Sequence, residues 1–196
     1  MKLQCLLAIA LFLPTSLFAE SPKFGDLVKR DGLYCAKFAD VPYTGTTSGR
    51  TQMTFKDGVL SGPYEKYYKN GQLSSKGSYR GGELHGAHES YYKDGQLMWK
   101  GTYKGGLRHG IYERYFDNGQ LWYSIHHKDG SEHGDFQYYH KNGQLSVQGA
   151  YKDGQKHGTH EWYSKNGQLS KRALYSHGRL TRRACFDEVG KRRICD

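Results

Sequence analysis

The sequence predicts an all-β fold: an elongated single-layer antiparallel sheet of tandem 24-residue β-hairpin repeats. Three observations predict it. Glycine recurs in three separate registers, at 71, 95, 119, 143 and 167, at 62, 86, 110, 134 and 158, and at 58, 82, 106, 130, 154 and 178, each with a step of 24. Short alternating aromatic-rich runs of about seven residues separate these glycines, the length of ordinary strands. Composition agrees: 17 Tyr stand against 3 Met, and only 36% of residues are hydrophobic. Rings with polar tips suit half-exposed sheet surfaces better than a thick dry core.

Taken in chain order, residues 1–19 read as a cleavable signal peptide. Lys2 gives a basic start, Leu3 to Phe18 is an apolar run, and Ala19 is the last residue before cleavage. That run contains Pro14 and is short for a bilayer span, and no other stretch is apolar enough to cross a membrane. Residues 20–54 read as a lead-in and cap. Residues 55–180 form the repeat array, and residues 181–196 a basic, Cys-containing hairpin.

Each repeat reads as two strands. Asn70-Gly71-Gln72-Leu73 recurs as Asp94-Gly95-Gln96-Leu97, Asn118-Gly119-Gln120-Leu121, Asn142-Gly143-Gln144-Leu145 and Asn166-Gly167-Gln168-Leu169. Asn-Gly between aromatic runs favours a two-residue type I′ turn, with both central residues at positive φ. The second punctuation, as in Asp153-Gly154-Gln155-Lys156-His157-Gly158, reads as a longer turn into the next unit.

Counting outward from a two-residue turn puts Tyr68 opposite Leu73, Lys66 opposite Ser75, Glu65 opposite Lys76 and Tyr64 opposite Gly77. The same count pairs Glu89 with Lys100, Glu161 with Arg172 and Gln137 with Gln148, and leaves Glu113 facing Ser124. Opposite charges across strands contribute a few tenths of a kcal/mol, and here they mark the register. One face then carries Tyr64, Tyr68, Leu73, Gly77 and Tyr79 with their equivalents, and is expected to bury itself by curling, with a ring lying over a strand glycine. The other carries the Glu–Lys pairs and the series Tyr67, Tyr91, Tyr115, Tyr139 and Tyr163, the candidate binding surface. The competing reading of that series is rings that only stiffen a thin sheet.

This pattern, aromatic-Tyr-x-Asn-Gly-Gln-Leu followed by Gly-x-Tyr-Lys-Asp-Gly-x-x-x-Gly, resembles the bacterial variant of the MORN repeat (variant 2). It is also similar to bacterial proteins labelled YwqK-type antitoxins, whose lead-in resembles Arg30-Asp31-Gly32-Leu33-Tyr34 and Val41-Pro42-Tyr43-Thr44-Gly45. The resemblance covers roughly residues 28 to 180 and stops at the Cys-containing tail. It implies an elongated β array used for binding or scaffolding, and no reaction.

Catalysis and metal chemistry find little support. Equivalent residues of successive repeats lie two strands apart, about 9.6 Å at about 4.8 Å per strand. The series His85, His109, His133 and His157 therefore cannot share one zinc, whose ligands lie within about 4 Å of each other. For these histidines a turn-capping role is expected. The series Glu65, Glu89, Glu113 and Glu161 has the same spacing, and a cation across the strand makes a carboxyl a poor acid. No nucleophile elbow, phosphate loop or paired-Cys motif is present. The sequence calls for no enzyme, no cofactor and no metal.

The cysteines suit an oxidising compartment. Beyond Cys5, which leaves with the leader, Cys35, Cys185 and Cys195 remain. A Cys185–Cys195 bridge would close a hairpin, contributing somewhat under about 3 kcal/mol, and a pairing of Cys35 with either C-terminal Cys stays open. Of the formal net charge of +10, residues 171–196 carry +5, whereas 55–170 carry only +3. A nucleic-acid binder would place a basic stripe along its working surface, so nucleic acid is not an expected partner. The function expected is an exported, periplasmic or secreted, protein-binding or scaffold module without a membrane span in the mature chain. The alternatives are an envelope-surface binder whose basic tail engages anionic lipid or polymer, and an immunity or antitoxin-type protein.

Overall fold

The computed structural model describes residues 20–37, 39 and 41–195, so the leader read at 1–19 lies outside the described residues. Antiparallel pairing between chain neighbours builds one 16-stranded sheet, running from Gly45–Thr46 at one edge to Arg192–Arg193 at the other. A separate two-stranded hairpin, Leu27–Arg30 with Leu33–Ala36, precedes it. The all-β array of tandem hairpins is thus as the sequence predicts.

The two kinds of turn are the reverse of the expectation. At Asn70-Gly71 only the glycine has positive φ (86°). The Gly71 N–H donates to the Tyr68 carbonyl at 3.0 Å and the Tyr68 N–H to the Gln72 carbonyl at 2.8 Å, which encloses a three-residue loop. This is a type I turn closed by a left-handed glycine. The same pair of bonds recurs at Tyr92, Phe116, His140 and Ser164. The two-residue type I′ turns lie instead at the second punctuation. There Asp129 and Gly130 (φ 48° and 88°) join Lys128 to Ser131, and Asp153 and Gly154 (52° and 77°) join Lys152 to Gln155.

Two bulges per repeat follow. In the first hairpin, Lys66 pairs with Ser75 but Tyr67 pairs with Leu73, so Ser74 is the extra residue. Leu73 therefore stands opposite Tyr67 and not Tyr68. The three-residue loop shifts the register and the bulge shifts it back. Deeper in the hairpin Glu65 still meets Lys76 and Tyr64 meets Gly77, as counted from sequence. The second bulge takes up the His-Gly motif. Gln148 pairs with Glu161 and Ala150 with His157, so the stretch holding Gly158 (φ 69°) and His160 spans a single residue, Gly149. Bulges bend and twist a sheet, and that curvature lets one layer cover part of its own face.

The covered face is a spine of rings: Tyr64, Tyr112, Phe136 and His160 are buried, and His88 is half-buried. These rings lie over strand glycines. A methyl on Gly101 would come 2.6 Å from Tyr112 Cδ2, one on Gly149 2.7 Å from His160 Cγ, and one on Gly77 2.7 Å from His88 Cδ2. Here glycine is required by close approach, not by a turn. Leu73, Leu97, Leu121, Leu145 and Leu169 remain half-buried, so rings and not leucines carry the burial.

At the N-terminal end Leu27, Met53, Phe55 and Tyr64 form a small core, with Tyr34 tilted against Phe55 at 5.1 Å and Tyr43 edge-on to it at 5.8 Å. The other end is closed by Arg179–Phe186 paired with Arg192–Arg193 and a Cys185–Cys195 disulfide with 5.3 Å between Cα atoms. Cys35 is buried.

Candidate binding surface

On the face opposite the spine, successive strands place one residue each in a continuous row. Pair by pair it runs Gln52, Glu65, Lys76, Glu89, Lys100, Glu113, Ser124, Gln137, Gln148, Glu161 and Arg172. The backbone register agrees with the sequence count, but the Lys ion pairs run the other way. Lys76 Nζ sits 3.1 Å from Glu89 and Lys100 Nζ 2.8 Å from Glu113, each reaching into the next hairpin. Only Arg172 pairs within its own hairpin, with Glu161 at 2.7 Å. Glu113 thus has a cation, although its partner across the hairpin is Ser124. Every Glu in the row has a strand on each side, so counting within one hairpin sees half of its neighbours.

The five tyrosines of the candidate surface flank this row. Each hydroxyl donates to the residue two positions before it: Tyr67 to Glu65, Tyr91 to Glu89, Tyr115 to Glu113 at 2.7 Å, Tyr139 to Gln137 at 2.8 Å and Tyr163 to Glu161 at 2.7 Å. The hydroxyl is therefore committed, while the ring stays half-exposed. Tyr91 and Lys76 hold the Glu89 carboxyl below the usual range. Tyr163, Gln148 and Arg172 do the same for Glu161. Burial pushes Glu113 up, but Lys100 and Tyr115 outweigh it and the group ends below its ordinary value. Carboxyls held ionised are poor proton donors, so the row is built for charge display.

The row is not uniform. It alternates in charge from Glu65 to Glu113, then becomes neutral at Ser124, Gln137 and Gln148. Gln148 Nε2 donates to Glu161 at 2.7 Å and to the Tyr163 hydroxyl at 3.0 Å. Beside this neutral window a shallow cleft is lined by Ile111, Ser124, His126, His133, Asp135 and Gln137. Ile111 is 56% exposed, an uncovered apolar side chain in the middle of the face.

A third set of residues ties repeats together. Tyr68 and Tyr92 hydroxyls donate to the carbonyls of Tyr91 and Tyr115 at 2.6 and 2.8 Å, and His140 Nε2 bonds the Tyr163 carbonyl at 2.9 Å. Asn70, Asn118 and Asn142 amides donate to the carbonyls of Lys93, Lys141 and Lys165 at 2.9 to 3.2 Å. Each link spans 23 residues, so the loop tips form a ladder down one side of the sheet. The sequence reading missed this use of Asn, although its recurrence beside Gly at a fixed step is the visible signal.

The aligned histidines also act locally. His109 and His133 lie 3.3 and 3.1 Å from the carboxylates of Asp129 and Asp153, in the type I′ turns 20 residues on. The Asp153 N–H meets His133 Nδ1 at 3.4 Å, close to the capping role expected. Among the described residues no three His, Cys, Asp or Glu side chains gather as a metal site would require, and no helix is long and apolar enough to cross a membrane.

A row of tandem hairpins with tips bridged at a fixed step defines a repeat array, a class in which binding uses an extended face. The MORN repeat variant family matches residues 60–80, 84–104, 108–129, 132–153 and 156–177, and the chain belongs to that family. The breaks between matches fall at the type I′ turns, so each match is one hairpin closed by an Asn-Gly or Asp-Gly tip. No curated protein matches the chain. Repeats of this family generally mediate protein or membrane binding, and proteins built from them are typically non-enzymatic.

Proposed function

We propose that this protein is an exported, non-enzymatic module that binds a protein partner along the face bearing Tyr67, Tyr91, Tyr115, Tyr139 and Tyr163. The observation that carries the reading is the tyrosine hydrogen bond to Glu or Gln two residues earlier, repeated five times. It fixes each ring while leaving its surface half-exposed. A rigid ring offers contact area at low entropic cost, which favours an interface over a merely stiffened sheet. The neutral window with Ile111 is the place where a partner would meet the least charge to desolvate. An immunity role is the special case in which the partner is a toxin. The Cys185–Cys195 disulfide supports a place outside the reducing cytoplasm, in accord with cleavage after Ala19.

The test is capture from native envelope and secreted fractions with residues 20–196 as bait, at low and moderate salt. A companion bait carries Tyr115→Ser and Tyr139→Ser and is checked to fold like the parent by circular dichroism. The expected result is a protein retained by the parent at both salts and lost by the double variant. Equal retention by the double variant sinks the tyrosine face as the binding surface.

A second reading rests on the terminal hairpin. Arg179, Arg182, Arg183, Lys191, Arg192 and Arg193 cluster there, with Val189 and Ile194 84% and 87% exposed. These groups suit an anionic envelope surface. Capture that needs residues after Ser176 and disappears with salt selects this reading over the first.

A further inference from the structure

The ring series on the buried face is not chemically uniform. Tyr64, Tyr112 and Phe136 occupy it in three repeats, and His88 and His160 take the same position in the other two. An imidazole fills the space of a ring but can take up a proton.

His160 is fully buried, at 0% exposure, over Gly149. Phe136 and Tyr175 rings lie 5.1 and 4.8 Å away, with Tyr151 and Trp162 at 6.0 and 6.2 Å. Nε2 lies 3.0 Å from the Ala150 carbonyl and so carries the proton, while Nδ1 is buried with no partner. A second proton would place a charge among rings, a cost that the backbone at Ala150 and His157 offsets only in part. The titratable or charged groups facing it are Lys156 on its own strand, Tyr151 on one neighbouring strand, and Tyr175 and Lys171 on the other, with Arg183 one strand further. None of these is a carboxylate.

His88 repeats the arrangement. It stacks on Trp99 at 4.7 Å, meets the edge of Tyr103 at 5.6 Å, and shares a hydrogen bond between Nε2 and the Tyr64 hydroxyl. Its Nδ1 is likewise buried without a partner. Around it stand Tyr64, Tyr79, Tyr103 and Lys66, again without a carboxylate. His127 is also buried, and burial holds it below the usual range too, although the Ile125 carbonyl and Glu132, which pairs with it across the strand, oppose that shift in part.

We propose that His88 and His160 make the array acid-sensitive: a proton on either ring loosens the hairpins packed against it, so the second and fifth repeats open as pH falls toward 5. In an array whose repeats contact only their neighbours, such opening is local and leaves the other repeats folded. Burial holds both imidazoles below the usual range, so their contribution is fully present above the unfolded value of 6.5 and is lost as pH falls below it. On the opposite face Glu89, Glu113 and Glu161 are held below their ordinary values and so titrate in a lower window.

The repeats supply their own conservative test. His88→Tyr and His160→Phe place at each position a ring that another repeat already uses. Between pH 7.5 and 5.0 the parent's folded-to-unfolded ratio is expected to fall by up to about 30-fold for each ring that stays neutral when folded. The double variant is expected to lose the part of that slope that His88 and His160 carry, with His127 keeping its own, whereas His177→Asn, at an exposed position, keeps the whole of it. Hydrogen exchange at pH 5, corrected for intrinsic rates, is expected to quicken over residues 145–176 in the parent and not in the double variant. An unchanged pH slope in H88Y/H160F overturns the proposal. So does NMR titration of the folded parent showing His88 and His160 protonating near 6.5.

Discussion

The two faces of this sheet solve opposite problems with the same residue type. On the inner face a ring lies flat over a glycine, and its value depends on there being no Cβ beneath it. On the outer face a tyrosine stands beside a Glu, and its value depends on a hydroxyl reaching a carboxylate. Inner contacts are close-packed and intolerant of added volume, whereas outer contacts are polar, part-exposed and individually weak. The lesson is that regular spacing of Tyr does not assign a role; the residue across the strand does.

The largest expected effect comes from breaking the inner rule. Gly101→Val forces a side chain to within 2.6 Å of Tyr112 or displaces the ring from the spine. Denaturant unfolding is expected to show a loss of about 3 kcal/mol, the upper end of overpacking costs. The adjacent outer-face change Thr102→Val, at an exposed site, is expected to stay within about 0.5 kcal/mol. Similar losses at both positions would erase the distinction between the faces.

A smaller effect separates both faces from the loop ladder. Asn142 accepts from the Gln144 N–H at 3.2 Å and donates to the Lys165 carbonyl at 2.9 Å. Asn142→Asp keeps the acceptor and removes the donor, as in the repeat that already carries Asp94. The expected loss is about 1 kcal/mol, one net hydrogen bond. Exchange is expected to rise at the Asn142 and Asn166 tips and not at Asn70.

These sites also show what could be read from the sequence and what could not. The 24-residue step, the strands and the pairs Glu65–Lys76 and Tyr64–Gly77 were all legible, because the loop and the bulge shift the register by one residue in opposite senses. The turn types were not. Asn-Gly satisfies the type I′ rule as well as Asp-Gly does, and the tip carrying Asp94 takes the same three-residue loop as the Asn tips, so the dipeptide alone does not set the turn. The direction of the Lys76 and Lys100 ion pairs was hidden for a related reason: both neighbouring strands are in register, and side-chain reach chooses between them. His88 and His160 could have been placed on the spine by aligning them with Tyr64, Tyr112 and Phe136. The prominent His-Gly series drew the reading toward the turns instead. The position of the Tyr67 series on the face opposite the spine was legible, but its hydrogen bonds to Glu were not.

The finest test concerns that hydrogen bond. Tyr115→Phe removes the hydroxyl that donates to Glu113 at 2.7 Å and leaves the ring and the Lys100 pair in place. At neutral pH the loss is expected to be under about 1 kcal/mol, given the exposure of the pair. Its signature lies in acid. Glu113 in the parent has a depressed value, so its contribution is present above the unfolded value of 4.5 and disappears as pH falls through the lower folded one. Without the hydroxyl that folded value rises, since burial then has only Lys100 to oppose it. The variant is therefore expected to differ most from the parent near neutrality and to converge on it below pH 4. Stability curves that stay parallel down to pH 3 would mean that the tyrosine acts through packing alone. The two faces would then use their rings in the same way.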